Sequence, residues 1–214
     1  MEERTTGLIL RTRPLTESSL IVNWLSPDMG RISTVAKGAR RPKSTFRGKL
    51  DLFYEADFSF SRSRRSDLHN LREVRLQKTH EGLRRDLDKV QQVAYAAALI
   101  ERATETETPI AEIHELMALF VEHIDRRPWR SESVIWFELK FLATLGLQPD
   151  SKQARFSPRT KKLLDAQFAS GNLDPTGFRP DLGETKELIH FLQEFLLFQF
   201  DRVPPGRAAA LKHE

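Results

Sequence analysis

The chain has 214 residues, 39% hydrophobic and 30% charged, with no cysteine and a formal net charge of +4. This suits one large or two small soluble domains and excludes a disulfide framework, thiolate metal sites and cysteine nucleophiles. No apolar run reaches the roughly 18–20 residues of a membrane-spanning helix. No apolar segment follows the opening Met-Glu-Glu-Arg, so a cytoplasmic location without membrane attachment is expected.

Residues 1–79 hold 16 Lys and Arg against 9 Asp and Glu, a charge of +7, so the remainder carries −3. Between Arg31 and Lys49 there are seven basic residues and no acidic one. Such a run is either a solvated basic loop or a surface that attracts polyanions, and the absent counter-charges favour the second.

From Gly7 to about Lys78 the pattern predicts five short strands. Leu8–Arg13 ends at Pro14, and Ser19–Leu25 leads through a Ser-Pro-Asp-Met-Gly turn into Arg31–Lys37, as in a hairpin. The basic stretch from Gly38 to Gly48, with Pro42, reads as a loop. Leu50–Phe60 places Ala56, Phe58 and Phe60 on one side and Asp57, Ser59 and Ser61 on the other; Leu68–Leu76 is anchored by Leu71 and Val74. Five strands in this span predict a small barrel, with an OB-fold first and an SH3-like barrel second.

Beyond Lys78 the apolar spacing becomes helical. A first helix runs from Leu83 to about Thr104, its stripe including Leu87. A second opens at Pro109 with Thr108 as N-cap, and a third begins at Ser131, capped by Ser131 or Ser133 and closed by Gly146. The stretch 148–181 allows one short helix near Ser157–Ala169. A last helix spans Leu182–Val203, its Phe191, Phe195, Phe198 and Phe200 reading as core, and the tail from Pro204 reads as frayed. The expected class is therefore α+β and multi-domain: a five-stranded OB-fold barrel over 1–79, then an all-α helical domain over 80–214 with a poorly defined insertion at about 148–181.

Catalytic signatures are absent. The six histidines form no metal-binding pair on a helix face, and no P-loop, dinucleotide fingerprint or serine-hydrolase elbow occurs. Asp86/Asp88 and Glu105/Glu107 read as solvated helix ends. A non-enzymatic binding surface remains, with Lys and Arg for phosphates and Phe46 either stacking on a base or tucked into the barrel. Gly38 and Gly48 either let backbone approach a phosphate or serve turns.

The segments Ile9–Pro14, Glu17–Val22, Gly30–Ile32, Ala36–Ser44 and Phe46–Leu50 closely resemble the RecO family of bacterial DNA repair proteins, most specifically in Ala-Lys-Gly-Ala-Arg-Arg-Pro-Lys-Ser-Thr-Phe-Arg-Gly. Phe137–Leu142 with Leu145–Pro149 is similar to the helix before that family's zinc-binding segment. The resemblance implies a recombination mediator without turnover, a monomer alone, that binds single- and double-stranded DNA without sequence specificity and anneals complementary strands. It further implies action with RecR to load RecA onto strands coated by single-strand-binding protein. By position it places DNA contacts on Arg31, Lys37, Arg40, Arg41, Lys43, Arg47 and Lys49, to which the stacking reading of Phe46 adds an eighth residue. It also implies a site for the acidic-apolar tail of single-strand-binding protein, for which Arg126, Arg127, Arg130 and Lys140 are the candidates. Many relatives carry four zinc-binding cysteines where this chain reads Gln148-Pro149-Asp150-Ser151-Lys152-Gln153-Ala154-Arg155, so no metal or other cofactor and no zinc ribbon is expected, the segment being held by packing alone. The alternative from another class is a protein-interaction adaptor whose basic barrel binds acidic partner segments.

Overall fold

The computed structural model describes residues 2–150, 156–169, 173 and 175–212. Internal packing divides the chain into two units: Met1–Glu81 with Thr104–Ala118, and Gly82–Ala103 with Leu119–Glu214. Residues 104–118 thus group with the strands of the first unit.

In the first unit the strands are β1 (Glu2–Pro14), β2 (Leu20–Ser26), β3 (Gly30–Ala36), β4 (Glu55–Ser61) and β5 (Leu68–Lys78). β1 pairs antiparallel with β4 from Glu2↔Ser61 to Leu8↔Glu55, and with β2 from Leu8↔Leu25 to Pro14↔Leu20. β2 and β3 form the expected hairpin, β3 pairs parallel with β5, and β5 pairs antiparallel with β4. The ring β1-β2-β3-β5-β4 thus closes on itself in the manner of an OB-fold. β1 begins earlier than its apolar pattern suggests, because Glu2–Gly7 is held by backbone pairing to β4.

Alternation fills the barrel. Ile9, Val22, Trp24, Ile32, Phe58, Phe60 and Val74 share one buried cluster. Trp24 stacks on Phe58 with ring centroids 4.0 Å apart, and its Nε1 donates to the buried Thr34 hydroxyl at 2.9 Å. Phe46, from the basic loop, joins this cluster at 8% exposure.

Residues 104–108 are stitched onto the barrel. Arg31 Nε donates to Thr104 Oγ1 at 2.8 Å, its Nη2 donates to the Thr104 carbonyl, and the Arg31 carbonyl accepts from Glu107 N–H at 2.8 Å. His69 is 1% exposed. Its Nδ1 accepts from Ser63 N–H at 3.2 Å, which leaves Nε2 as donor to Glu107 Oε1 at 2.9 Å. Arg62 bridges Glu107 and Glu3, and its hydrogen bond to Glu3 holds that carboxyl below the usual carboxylate range. Glu107 is therefore an ion-paired residue of the barrel unit and not a solvated helix end. Gly30 admits this segment: its φ is +66°, and a Cβ there would lie 2.2 Å from the Thr108 carbonyl oxygen.

The helical elements are α1 (Leu87–Ala103), α2 (Ala111–Arg126), α3 (Ser131–Thr144), α4 (Pro158–Ala169), α5 (Leu182–Phe200) and α6 (Arg207–Leu211). The unit boundary falls within α2. A 3₁₀ turn at Leu83–Arg85 precedes α1, so Leu87 is 70% exposed instead of lying in the stripe. α2 starts at Ala111, so Thr108 does not cap it. α3 follows Arg130 without a side-chain cap, and Ser133 Oγ instead meets His123 Nε2 at 3.3 Å. α3 is buried without interruption from Ser133 to Leu142. α4 falls where the short helix is expected. α5 opens on a capping box between Asp181 and Glu184, and its Phe198 is 84% exposed, outside the core assigned to it. Of the segment expected to replace the zinc site, residues 151–155 lie outside the described residues.

The tail is the largest departure. α6 is packed into the second unit, where the 6%-exposed Arg207 grips the fully buried Glu138 with Nε–Oε1 2.7 Å and Nη2–Oε2 2.9 Å. Tyr95 Oη donates to the same carboxylate at 2.6 Å; burial, followed by the Glu138 charge, pushes its phenol well above the ordinary range.

Three stability outcomes follow, each read by thermal or urea denaturation. Arg207→Ala strands a buried carboxylate and is expected to cost about 3–5 kcal/mol, whereas the paired Glu138→Gln/Arg207→Met change costs less. Phe46→Ala is expected to cost about 3 kcal/mol by opening the barrel cluster. Gly30→Ala adds left-handed strain to a backbone clash and is expected to cost upwards of about 2 kcal/mol.

Candidate nucleic-acid interface

The basic loop between β3 and β4 is built from successive tight turns. Backbone N–H groups of Ala39, Arg41, Ser44, Arg47 and Lys49 each donate to the carbonyl three residues earlier, at 3.0–3.3 Å. Gly38 and Gly48, at φ +70° and +73°, serve as turn residues. The loop is tied to the β1–β2 connection by Arg40 N–H to the Ser18 carbonyl at 3.0 Å and Arg40 Nη1 to the Thr16 carbonyl at 3.3 Å.

On this frame Lys37, Arg40, Arg41, Lys43 and Arg47 are all exposed, and the stretch still holds no carboxylate. The eight residues expected to contact DNA do not form one surface. Arg31 has its guanidinium committed to Thr104, which gives it a positioning task within the barrel unit. Phe46 takes the tucked alternative, anchoring the loop in the core instead of presenting an open ring. Lys49 is half-buried and borders a cleft of about 840 Å³ on the barrel unit.

Sequence reasoning did not find that cleft. Arg4 and Thr5 of β1, Asp57, Phe58 and Ser59 of β4, and Arg72–Arg75 of β5 line it, together with Thr45, Phe46 and Lys49. Strand pairing brings these residues together, since Arg4 faces Ser59 and Ser59 faces Glu73 across the sheet. The available signal was polar residues alternating with Phe58 and Val74, which also describes any solvated sheet face.

In the second unit, Arg127 and Arg130 line a smaller cavity of about 180 Å³ with His123, Phe178 and Arg179. Arg126 instead forms an i,i+4 ion pair with Glu122 at 2.7 Å. Lys140 departs from expectation: at 6% exposure its Nζ donates to the Gln167 carbonyl at 2.9 Å, and desolvation pushes its pKa down. It cannot rim an open groove, because α3 is buried on all sides where it sits.

The chemistry on offer is anion neutralisation by Lys and Arg; the apolar residues that border the two cavities, Phe58, Val74 and Phe178, are buried. Among the described residues no group of three or more His, Asp or Glu could hold a metal ion, and without cysteine the chain cannot build a thiolate zinc site. No helix among the described residues is long and apolar enough to cross a membrane.

Comparison with known proteins places both units. A family model described as Recombination protein O N terminal matches residues 1–80, and one described as Recombination protein O C terminal matches residues 84–211. A DNA repair protein RecO of Rhodopirellula baltica is 28% identical over 178 residues, covering 81% of this chain and 66% of that protein. Another, of Anaeromyxobacter sp. (strain Fw109-5), is 32% identical over 146 residues, 68% of this chain and 57% of that protein. A third, of Listeria monocytogenes, is 25% identical over 207 residues, 94% of this chain and 80% of that protein. The chain thus spans less than two thirds of the length of the first two relatives. With barrel and helical parts each matched over nearly their whole extent, this chain belongs to the Recombination protein O family.

Proposed function

We propose that this protein is a non-enzymatic DNA repair and recombination mediator that binds DNA through the β3–β4 loop. One observation carries the reading: Lys37, Arg40, Arg41, Lys43 and Arg47 stand exposed on a turn-braced loop whose stretch from 31 to 49 has no acidic residue. Such a surface neutralises phosphates and is indifferent to base sequence, so it suits both single and double strands and the annealing of one strand to another. The names of the relatives, each a DNA repair protein, agree with this reading.

The family's partner set extends it. RecR and, indirectly, RecA are its further partners, and the acidic-apolar tail of single-strand-binding protein docks on the second unit. The cavity with Arg127 and Arg130 suits such a tail, since Arg179 adds charge and Phe178 an apolar wall. Arg126 and Lys140 leave that proposal because both are otherwise engaged. The protein works in the cytoplasm, as a monomer when alone, and takes no zinc. Elemental analysis of the purified protein checks the last point, and stoichiometric zinc overturns it.

Fluorescence anisotropy of labelled oligonucleotides against salt tests the main reading. The wild type is expected to bind with a steep salt dependence, and Arg40→Glu/Arg41→Glu/Lys43→Glu to lower the duplex slope by roughly 2.7. Binding indifferent to those changes removes the loop from the interface. Binding of acidic peptides in place of DNA would instead establish an adaptor.

A further inference from the structure

His69 joins two separate parts of the barrel unit through its two ring nitrogens. Nδ1 accepts from the Ser63 N–H at 3.2 Å, in the β4–β5 connection, and Nε2 donates to Glu107 Oε1 at 2.9 Å, in the segment that follows α1. At 1% exposure the ring cannot exchange either partner for bulk water. Phe60 stacks on it with centroids 5.2 Å apart and planes 16° from parallel, which keeps each nitrogen on its own partner. Only a neutral imidazole with its proton on Nε2 satisfies both contacts.

A second proton affects the two contacts in opposite directions. Nδ1 becomes a donor facing the Ser63 N–H donor, so that hydrogen bond is lost. Nε2 keeps its bond to Glu107 and now brings a full positive charge to a carboxylate. The charged groups set around the ring are Glu107, Arg62 on the other oxygen of that carboxylate, and Glu3 of β1. The Glu3 carboxyl, held low chiefly by its hydrogen bond to Arg62, also feels the His69 charge. Two carboxylates against one guanidinium favour a second cation at this place.

The β4–β5 connection has little else drawing it inward beyond Arg62. Among the described residues, the other hydrogen bonds of Ser63, Arg65 and Ser66 stay within the connection or reach Leu68, and residues 64–67 are exposed.

We propose that His69 is a proton-operated latch. Neutral, it ties down the β4–β5 connection; charged, it releases that connection, with the exposed Arg64 and Arg65, and tightens its hold on the 104–108 segment. The latch is independent of the DNA reading, and it makes the order of one barrel connection respond to pH in the range where imidazole titrates.

NMR of the full chain between about pH 8 and pH 5 tests it, with ring nitrogen shifts reporting the tautomer and hydrogen exchange reporting the Ser63 amide. At the alkaline end the ring is expected to carry its proton on Nε2. As the ring charges, protection of the Ser63 amide, corrected for intrinsic exchange, is expected to fall about five- to tenfold, the worth of one hydrogen bond, while amides of the β4–β5 ladder keep theirs. Glu107→Gln leaves an acceptor for Nε2 but removes its charge, and both changes are expected to move together to lower pH. A proton on Nδ1 in the alkaline form, constant Ser63 protection while the ring charges, or a ring that stays neutral until the barrel unfolds each overturns the latch. An unshifted step in Glu107→Gln removes Glu107 as the counter-charge and overturns it as well.

Discussion

Barrel closure is the constraint from which the arrangement of charge follows. One strand, β1, must pair with β4 along its first half and with β2 along its second, and Leu8 has partners on both sides, Leu25 and Glu55. Strand directions in a closed ring are then fixed, so the β3–β4 connection has to leave the end of β3 and travel back to the start of β4. That connection is the segment carrying the densest positive charge, and a buried Phe46 holds it down. The same closure lays β1, β4 and β5 side by side, which is what assembles Arg4, Ser59 and Arg75 into one cleft.

Much of this was legible locally. Period-two alternation around Phe58 and Phe60 and the turn chemistry around Gly30 encode the strands, because a half-buried strand needs only its own side chains to declare its faces. The charge of the β3–β4 loop was equally readable, since exposure of a Lys- and Arg-rich turn segment follows from solvation. What escaped was whatever depends on a distant partner. Glu2–Gly7 is polar and becomes a strand through β4. Lys140 resembles a surface residue until helices cover α3 on every side. The Pro-Pro-Gly run before Arg207 signals the end of order, yet a carboxylate 69 positions away captures the arginine. The cleft belongs to the same class, its cations lying on strands far apart in the sequence.

Charge is used in two ways in this chain. Arg31 and Arg207 are turned inward onto a carbonyl and a carboxylate, while Arg62, still open to solvent, bridges Glu3 and Glu107 at the surface of the barrel unit. The loop cations and those of the cleft are left facing water. Counting basic residues along the sequence merges these populations, which is why the run from Arg31 to Lys49 includes an arginine engaged within the barrel unit and gives no sign that Arg4, Arg72 and Arg75 line one cleft.

The stitching of Thr104–Thr108 to the barrel also has a consequence in time. All five strands have been synthesised once Lys78 is added, but Glu107, the acceptor for buried His69 and for Arg62, comes 29 residues later. At a ribosomal pace of roughly 5–20 residues per second that is a wait of about 1.5–6 seconds. During that interval the ring can close while His69 and the groove above Gly30 still lack their partners. The barrel unit is thus completed by chain that follows α1, so its maturation is ordered by translation and not by the strands alone.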